Sequence, residues 1–154
     1  MNLKGEEVSN KLKLRTIITD DDPAVTLLLK TILQKQGHHV LTFPDPTACP
    51  CPVLKKESCF CPQEFPCADI VISDIVMPNM SGIDFIKRQR EGGCKTPDTN
   101  KAVISATANK EHLDAIEELG CNFFKKPFKL VEIFKWIGEC AKKIPEDRIL
   151  AKLG

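Results

Sequence analysis

Asp74 closes an apolar run, Ala68-Asp69-Ile70-Val71-Ile72-Ser73, and the chain continues Ile75-Val76-Met77-Pro78-Asn79-Met80-Ser81-Gly82. A carboxylate at the carboxyl end of a buried strand is unfavourable unless something uses or neutralises its charge. A second acidic cluster, Asp20-Asp21-Asp22, closes the run from Leu14 to Thr19. Two strands that both finish in carboxylates bring three or four acidic oxygens to one edge of a sheet. Such a group repels itself unless a hard cation sits within it. A hydroxyl, Thr107, follows the run Ala102 to Ala106, and a base, Lys126, follows Asn122-Phe123-Phe124 and precedes Pro127. The chemistry on offer is an acid pair, a further acid, a hydroxyl and an ammonium group, each at the end of an apolar run.

The elements that must position these groups alternate between strand and helix periodicity. Leu14 to Thr19 reads as a strand, and Asp22-Pro23 starts a helix with an acidic cap and proline at its first position. Val25, Leu28, Leu29, Ile32 and Leu33 repeat at helical spacing until Gly37, and His39 to Phe43 reads as strand two. Asp69 to Ser73 is strand three. Ser81 with Asp84 resembles a capping box and opens a helix through about Arg90. Strand four is assigned to residues 102–106. Asn109 caps a helix that ends at Gly120, residues 122–124 form a short fifth strand, and Leu130, Ile133, Phe134, Ile137 and Ala141 line a last helix. Alternation of this kind implies an α/β domain with a parallel sheet covered on both faces. In such sheets ligands sit beyond the carboxyl ends of the strands.

One stretch breaks the rhythm. Residues 44–68 carry prolines at 44, 46, 50, 52, 62 and 66, where a crossover helix is due. Proline inside a helix costs about 3 kcal/mol, so at most Val53 to Ser58 can form a turn or two. The same stretch holds Cys49, Cys51, Cys59, Cys61 and Cys67, five of the eight cysteines. Among the other three, Cys121 and Cys140 fall in strand and helix patterns and read as small core hydrophobes.

At 154 residues the chain fits one domain with a single core. Its net charge of +1, from 22 basic and 21 acidic side chains, sets up no global field toward nucleic acid or an anionic membrane. No apolar run approaches the roughly 20 residues of a membrane span, and the amino terminus lacks the apolar core of a signal peptide. These features imply a cytoplasmic protein, in which cysteines serve as thiols or metal ligands rather than disulfides.

Taken in order, Ile17-Ile18-Thr19-Asp20-Asp21-Asp22-Pro23, Asp74 to Pro78 with Ser81-Gly82, Thr107-Ala108 and Lys126-Pro127-Phe128 resemble the receiver (CheY-like) domain of two-component response regulators. The resemblance runs from about Arg15 to Lys142. It implies a doubly wound, five-stranded parallel sheet of flavodoxin/CheY-like order 2-1-3-4-5, here with a Cys/Pro-rich insert replacing most of the second helix. It also implies roles. Asp74 is the phospho-acceptor, taking a phosphoryl group from a phosphohistidine. Asp20, Asp21 and the backbone carbonyl of Val76 hold Mg²⁺. Thr107 and Lys126 bind phosphoryl oxygens, Phe123 is the switch aromatic, and the Lys126-Pro127 bond is cis.

The domain then spans residues 14–143, between a flexible segment, 1–13, and a C-terminal tail, 144–154. The expected function is a stand-alone receiver in a phosphorelay, not an enzyme in the ordinary sense. Its partners are a sensor histidine kinase or phosphotransfer protein and an unknown downstream protein, with no direct contact to nucleic acid or membrane. A hydrolase of the haloacid dehalogenase type also uses an aspartyl phosphate, but it needs a second Asp where this chain has Val76. A metal- or redox-responsive module is the alternative that the cysteines raise. Four of Cys49, Cys51, Cys59, Cys61 and Cys67 are expected to hold one structural Zn²⁺, although C-x-C pairs are narrower than the usual zinc spacing.

Overall fold

The computed structural model describes residues 12–54 and 61–153. Five parallel strands form one sheet: β1 (Arg15–Thr19), β2 (His39–Phe43), β3 (Ile70–Asp74), β4 (Lys101–Ser105) and β5 (Asn122–Lys125). Their spatial order is β2-β1-β3-β4-β5, the expected doubly wound arrangement. Four α-helices accompany them among the described residues: α1 (Pro23–Lys35), α2 (Gly82–Glu91), α3 (Lys110–Leu119) and α4 (Leu130–Lys143).

The caps read from the sequence form as chemistry requires. Asp22 accepts from the Ala24 N–H, with Pro23 at the first helical position, and Gly37 adopts φ 93° after α1. Ser81 accepts from the Asp84 N–H at 3.1 Å. Asn109 and His112 exchange reciprocal bonds at the start of α3, and Gly120 ends that helix in the left-handed region at φ 77°.

The two faces of the sheet bury different sets of side chains. Leu14, Ile18, Ile70, Ile72, Ala102 and Ile104 pack under Leu29 and Leu33 of α1 and Ile133, Trp136 and Ile137 of α4. Phe124 meets Trp136 edge to face, with ring centroids 5.7 Å apart. On the opposite face Val103 packs with Ile83 and Ile86 of α2 and Ile116 and Leu119 of α3.

The Cys/Pro segment covers the remaining flank of that second face. Its described residues form two short 3₁₀ turns, Pro46–Ala48 and Pro52–Leu54. Cys49 buries against Ile17, Ala68, Val71 and Phe85, with Cys51 and Leu54 packed alongside. Proline spacing thus converts a crossover helix into turns that still supply apolar side chains. The expected helical turns over Val53 to Ser58 lie mostly outside the described residues.

Residues 144–153, assigned above to a tail, dock on the amino-terminal edge of the sheet. The Arg148 guanidinium makes a two-pronged contact with Asp69, Nε to Oδ1 at 2.8 Å and Nη2 to Oδ2 at 2.6 Å. Ala151 is buried; its N–H donates to the Pro66 carbonyl and its carbonyl accepts from Arg15 Nη1. Arg15 also donates to the Cys67 carbonyl, so this tail pins the exit of the Cys/Pro segment into β3.

Asp69 is nearly buried, and removing its cation leaves a charge that water cannot reach. Arg148→Ala should therefore lower the unfolding free energy by about 3 kcal/mol in a urea titration. Removing the exposed Lys110–Asp114 pair should change it by less than about 0.5 kcal/mol.

Candidate functional site

Pairing brings the acidic groups together. β1 and β3 are neighbours, with Thr19 opposite Ser73, so the residues that follow and end those strands meet at one edge. Carboxylate oxygens of Asp20, Asp21 and Asp74 lie within 4.8 Å of one another. Asp20 is 2 % exposed, Asp74 8 % exposed, and Asp21 open to solvent. Asp22, the fourth acid considered, is taken up by the cap of α1.

Lys126 reaches both buried acids. Its Nζ lies 2.9 Å from Asp20 Oδ2 and 3.4 Å from Asp74 Oδ2. The Lys126 N–H donates to the Ser105 carbonyl, and the Lys126-Pro127 bond is cis as expected. Burial pushes the Asp74 carboxyl above its usual range and the charge of Asp20 pushes it further, while Lys126 pulls it back only in part. Burial alone would lower the Lys126 ammonium, but the hydrogen bond and charge of Asp20, with the charge of Asp74, leave it raised.

The backbone around Asp74 is held from several sides. Asp74 Oδ1 accepts the Ile75 N–H at 2.7 Å. Thr19 donates to the Ser73 hydroxyl at 2.6 Å, and Ser73 donates to the Asp74 carbonyl at 2.9 Å. Gly82 abuts that same carbonyl so closely that a Cβ would sit 1.9 Å from it. Asn79, at φ 71°, donates to Asp45, whose carboxylate also caps the turn at Thr47. Burial raises the Asp45 carboxyl, but the bonds from Thr47, Asn79 and Ala48 outweigh it and hold the group low. Asp45 was not singled out by sequence reading, because a lone Asp before a proline reads as a turn.

Strand β4 differs from expectation by one residue at each end. The strand starts at Lys101, whose side chain is buried beside Asp98 at 3.3 Å, and ends at Ser105 rather than Ala106. Asp74 pairs with Ile104, so Ser105 is the next residue at the site's edge; it is 1 % exposed. Its Oγ accepts the Thr107 N–H at 3.1 Å. Thr107 itself stands two residues beyond the strand and is exposed. The signal for Ser105 was present as Ser105-Ala106, which has the same hydroxyl–alanine form as Thr107-Ala108. Phe123 lies in β5 opposite Val103 and packs half-buried with the α2–α3 cluster. Val76 is 62 % exposed on the loop after Asp74.

The cysteines expected to hold Zn²⁺ do not form a closed ligand set. Among the described residues only the three aspartates bring ligand atoms of three residues within 4.8 Å, and Cys59 lies outside the described residues. The described cysteines are free thiols.

The response regulator receiver domain profile matches residues 16–138, and the chain belongs to that family. It is 28 % identical over 133 residues to the sensory/regulatory protein RpfC of Xanthomonas campestris, covering 83 % of this chain and 16 % of that protein. The chain thus spans about a sixth of that relative's length. It is 27 % identical over 133 residues to an uncharacterised 14.6 kDa protein of Leptolyngbya boryana, covering 85 % of this chain and 92 % of that one. The fold is that of chemotaxis protein CheY4 of Vibrio cholerae, with TM-score 0.65 and 22 % identity over 83 % of this chain and 98 % of that one. Receiver domains are phospho-acceptor signalling domains that work with histidine kinases or phosphotransfer proteins, and they typically use Mg²⁺ at such an acidic pocket. No helix among the described residues is long and apolar enough to cross a membrane.

Two outcomes follow from this geometry. The raised folded value of Asp74 means that its ionised form opposes folding above pH 3.8, the unfolded reference. In chelator, Asp74→Asn should raise Tm at neutral pH, and the gain should shrink as pH falls to the reference value, read by thermal melts across pH. Gly82→Ala should lose about 1–3 kcal/mol or more, because the clash is with backbone that cannot swing away.

Proposed function

We propose that this chain is a receiver domain that accepts a phosphoryl group on Asp74 from a phosphohistidine of a sensor kinase or phosphotransfer protein. The observation that carries the proposal is the grouping of the Asp74 carboxylate with Asp20 and Asp21, within reach of Lys126 Nζ at 3.4 Å. A donor set made only of hard oxygens, with more negative charge than Lys126 answers, fits Mg²⁺ rather than a soft metal. Asp20, Asp21 and the Val76 carbonyl would hold the ion, which would neutralise charge on the transferring phosphoryl oxygens.

This chain's own groups then have defined tasks. An Asp74 oxygen attacks phosphorus as the phosphorus–nitrogen bond breaks, and the electron pair stays on the imidazole nitrogen. Lys126, already between two carboxylates, pairs with a phosphoryl oxygen of the product. Thr107 would donate its hydroxyl to another phosphoryl oxygen, and the buried Ser105 before it accepts the Thr107 N–H. Movement there would be felt by Phe123, whose strand neighbour Val103 lies two residues from Ser105. Output would pass to a downstream protein on the surface formed by α3, β5 and α4.

The test is labelling by a small acyl phosphate with Mg²⁺, followed by intact mass. One added phosphoryl group is expected, and none in Asp74→Asn; retained labelling in that variant would sink the assignment. Thr107→Ala should lose at least half of the Tm increase on phosphorylation.

A further inference from the structure

The loop between β3 and α2 carries Val76, and its two ends are fixed. Ile75 is buried; its N–H donates to Asp74 Oδ1 at 2.7 Å, and its carbonyl accepts the Gly82 N–H at 3.0 Å. Between these points Val76, Pro78 and Asn79 are exposed. The Met80 N–H turns back to the Pro78 carbonyl at 2.7 Å, with Asn79 at the apex at φ 71°. Asparagine tolerates this left-handed backbone better than most residues, but tolerance alone does not select it over other conformations.

The selecting contact comes from another part of the chain. Asp45 lies two residues beyond β2, and the Phe43 carbonyl at the end of β2 accepts the Asp20 N–H at 3.1 Å, so Asp45 stands at the pocket end of the sheet. It is 7 % exposed and is not one of the three grouped acids. Its Oδ1 accepts the N–H of Thr47 at 2.7 Å and also the Thr47 hydroxyl, while its Oδ2 accepts from Asn79 Nδ2 at 3.2 Å. The two carboxylate oxygens thus have different tasks. One shapes the first turn of the Cys/Pro segment, and the other grips the loop after Asp74, 34 residues away. The next loop residue, Met80, packs with Cys49, Val71 and Phe85 on the same flank.

We infer that Asp45 is a positioning residue of the acceptor site: through Asn79 it fixes the turn of the loop whose Val76 carbonyl would hold a divalent cation. This role rests on the Asp20, Asp21 and Asp74 pocket being a Mg²⁺ site. Mg²⁺ demands near-ideal octahedral geometry, so a carbonyl ligand on an unrestrained loop binds it poorly. Groups that orient a ligand without touching the metal typically change its affinity about tenfold or more. The role also gives the start of the Cys/Pro segment a task at the pocket, because the side chain that shapes its first turn is the one that holds the loop.

The experiment is a calorimetric titration of the whole chain with Mg²⁺, without phosphodonor. Asp45→Ser keeps an oxygen to cap Thr47 but is too short to grip Asn79, and Asn79→Gly keeps the backbone turn but removes the amide. Each should raise the Kd for Mg²⁺ roughly tenfold. The two together should lie within about threefold of either alone, because residues that act through one contact are not additive. Asp45→Asn can still engage Thr47 and Asn79 after a half-turn of the Asn79 amide, and should stay within about threefold of the native chain. Native-like binding in Asn79→Gly, additive losses in the pair, or a loss in Asp45→Asn as large as in Asp45→Ser overturns the positioning role. If Asp45→Ser fails to fold, Asn79→Gly and Asp45→Asn decide the matter. A native chain that binds no Mg²⁺, or binding untouched in Asp21→Ala, overturns the Mg²⁺ site itself. Binding weakened in Asp21→Ala but native-like in Asn79→Gly removes the role of Asp45 and leaves the site standing.

Discussion

Three carboxylates crowd the carboxyl ends of β1 and β3, and the ammonium of Lys126 reaches two of them, Asp20 and Asp74. Burial first, and then the like charge of Asp20, makes Asp74 hold its proton more tightly than a solvated carboxyl. The imbalance gives the pocket a set of hard oxygen donors suited to a divalent cation. Most of the surrounding structure serves to maintain it. Ser73 and Thr19 hold the Asp74 carbonyl, Gly82 leaves room for that carbonyl, and β5 presents Lys126 across from Ser105.

The two ends of the sheet solve opposite problems. At the carboxyl end, charge is left under-compensated. At the amino end, the buried Asp69 is fully engaged by Arg148 and by the Arg15 N–H at 2.8 Å. The second arrangement is structural: it ties residues 144–153 to the start of β3 and to Cys67, closing the sheet beneath the Cys/Pro segment. That segment lacks a helix among its described residues, yet Cys49, Leu54 and Ala68 give the flank over Ile17 and Val71 an apolar lining. Among the described residues of this flank, apolar side chains carried on turns reach the sheet while other groups restrain the backbone.

Sequence alone determined the strand–helix alternation, the caps at Asp22, Ser81 and Asn109, and the identity of the acids and the base. Each depends on local pattern: apolar periodicity, a capping oxygen before a helix, a polar residue closing an apolar run. It did not determine where β4 begins. Lys101 reads as a polar boundary, but beside Asp98 it is drawn into the sheet, and the strand shifts by one residue. Register depends on partners in β3 and β5, not on local composition. The docking of residues 144–153 was equally hidden. It rests on long-range contacts whose own sequence neighbourhoods give no hint of a partner, so only the tertiary structure could decide it.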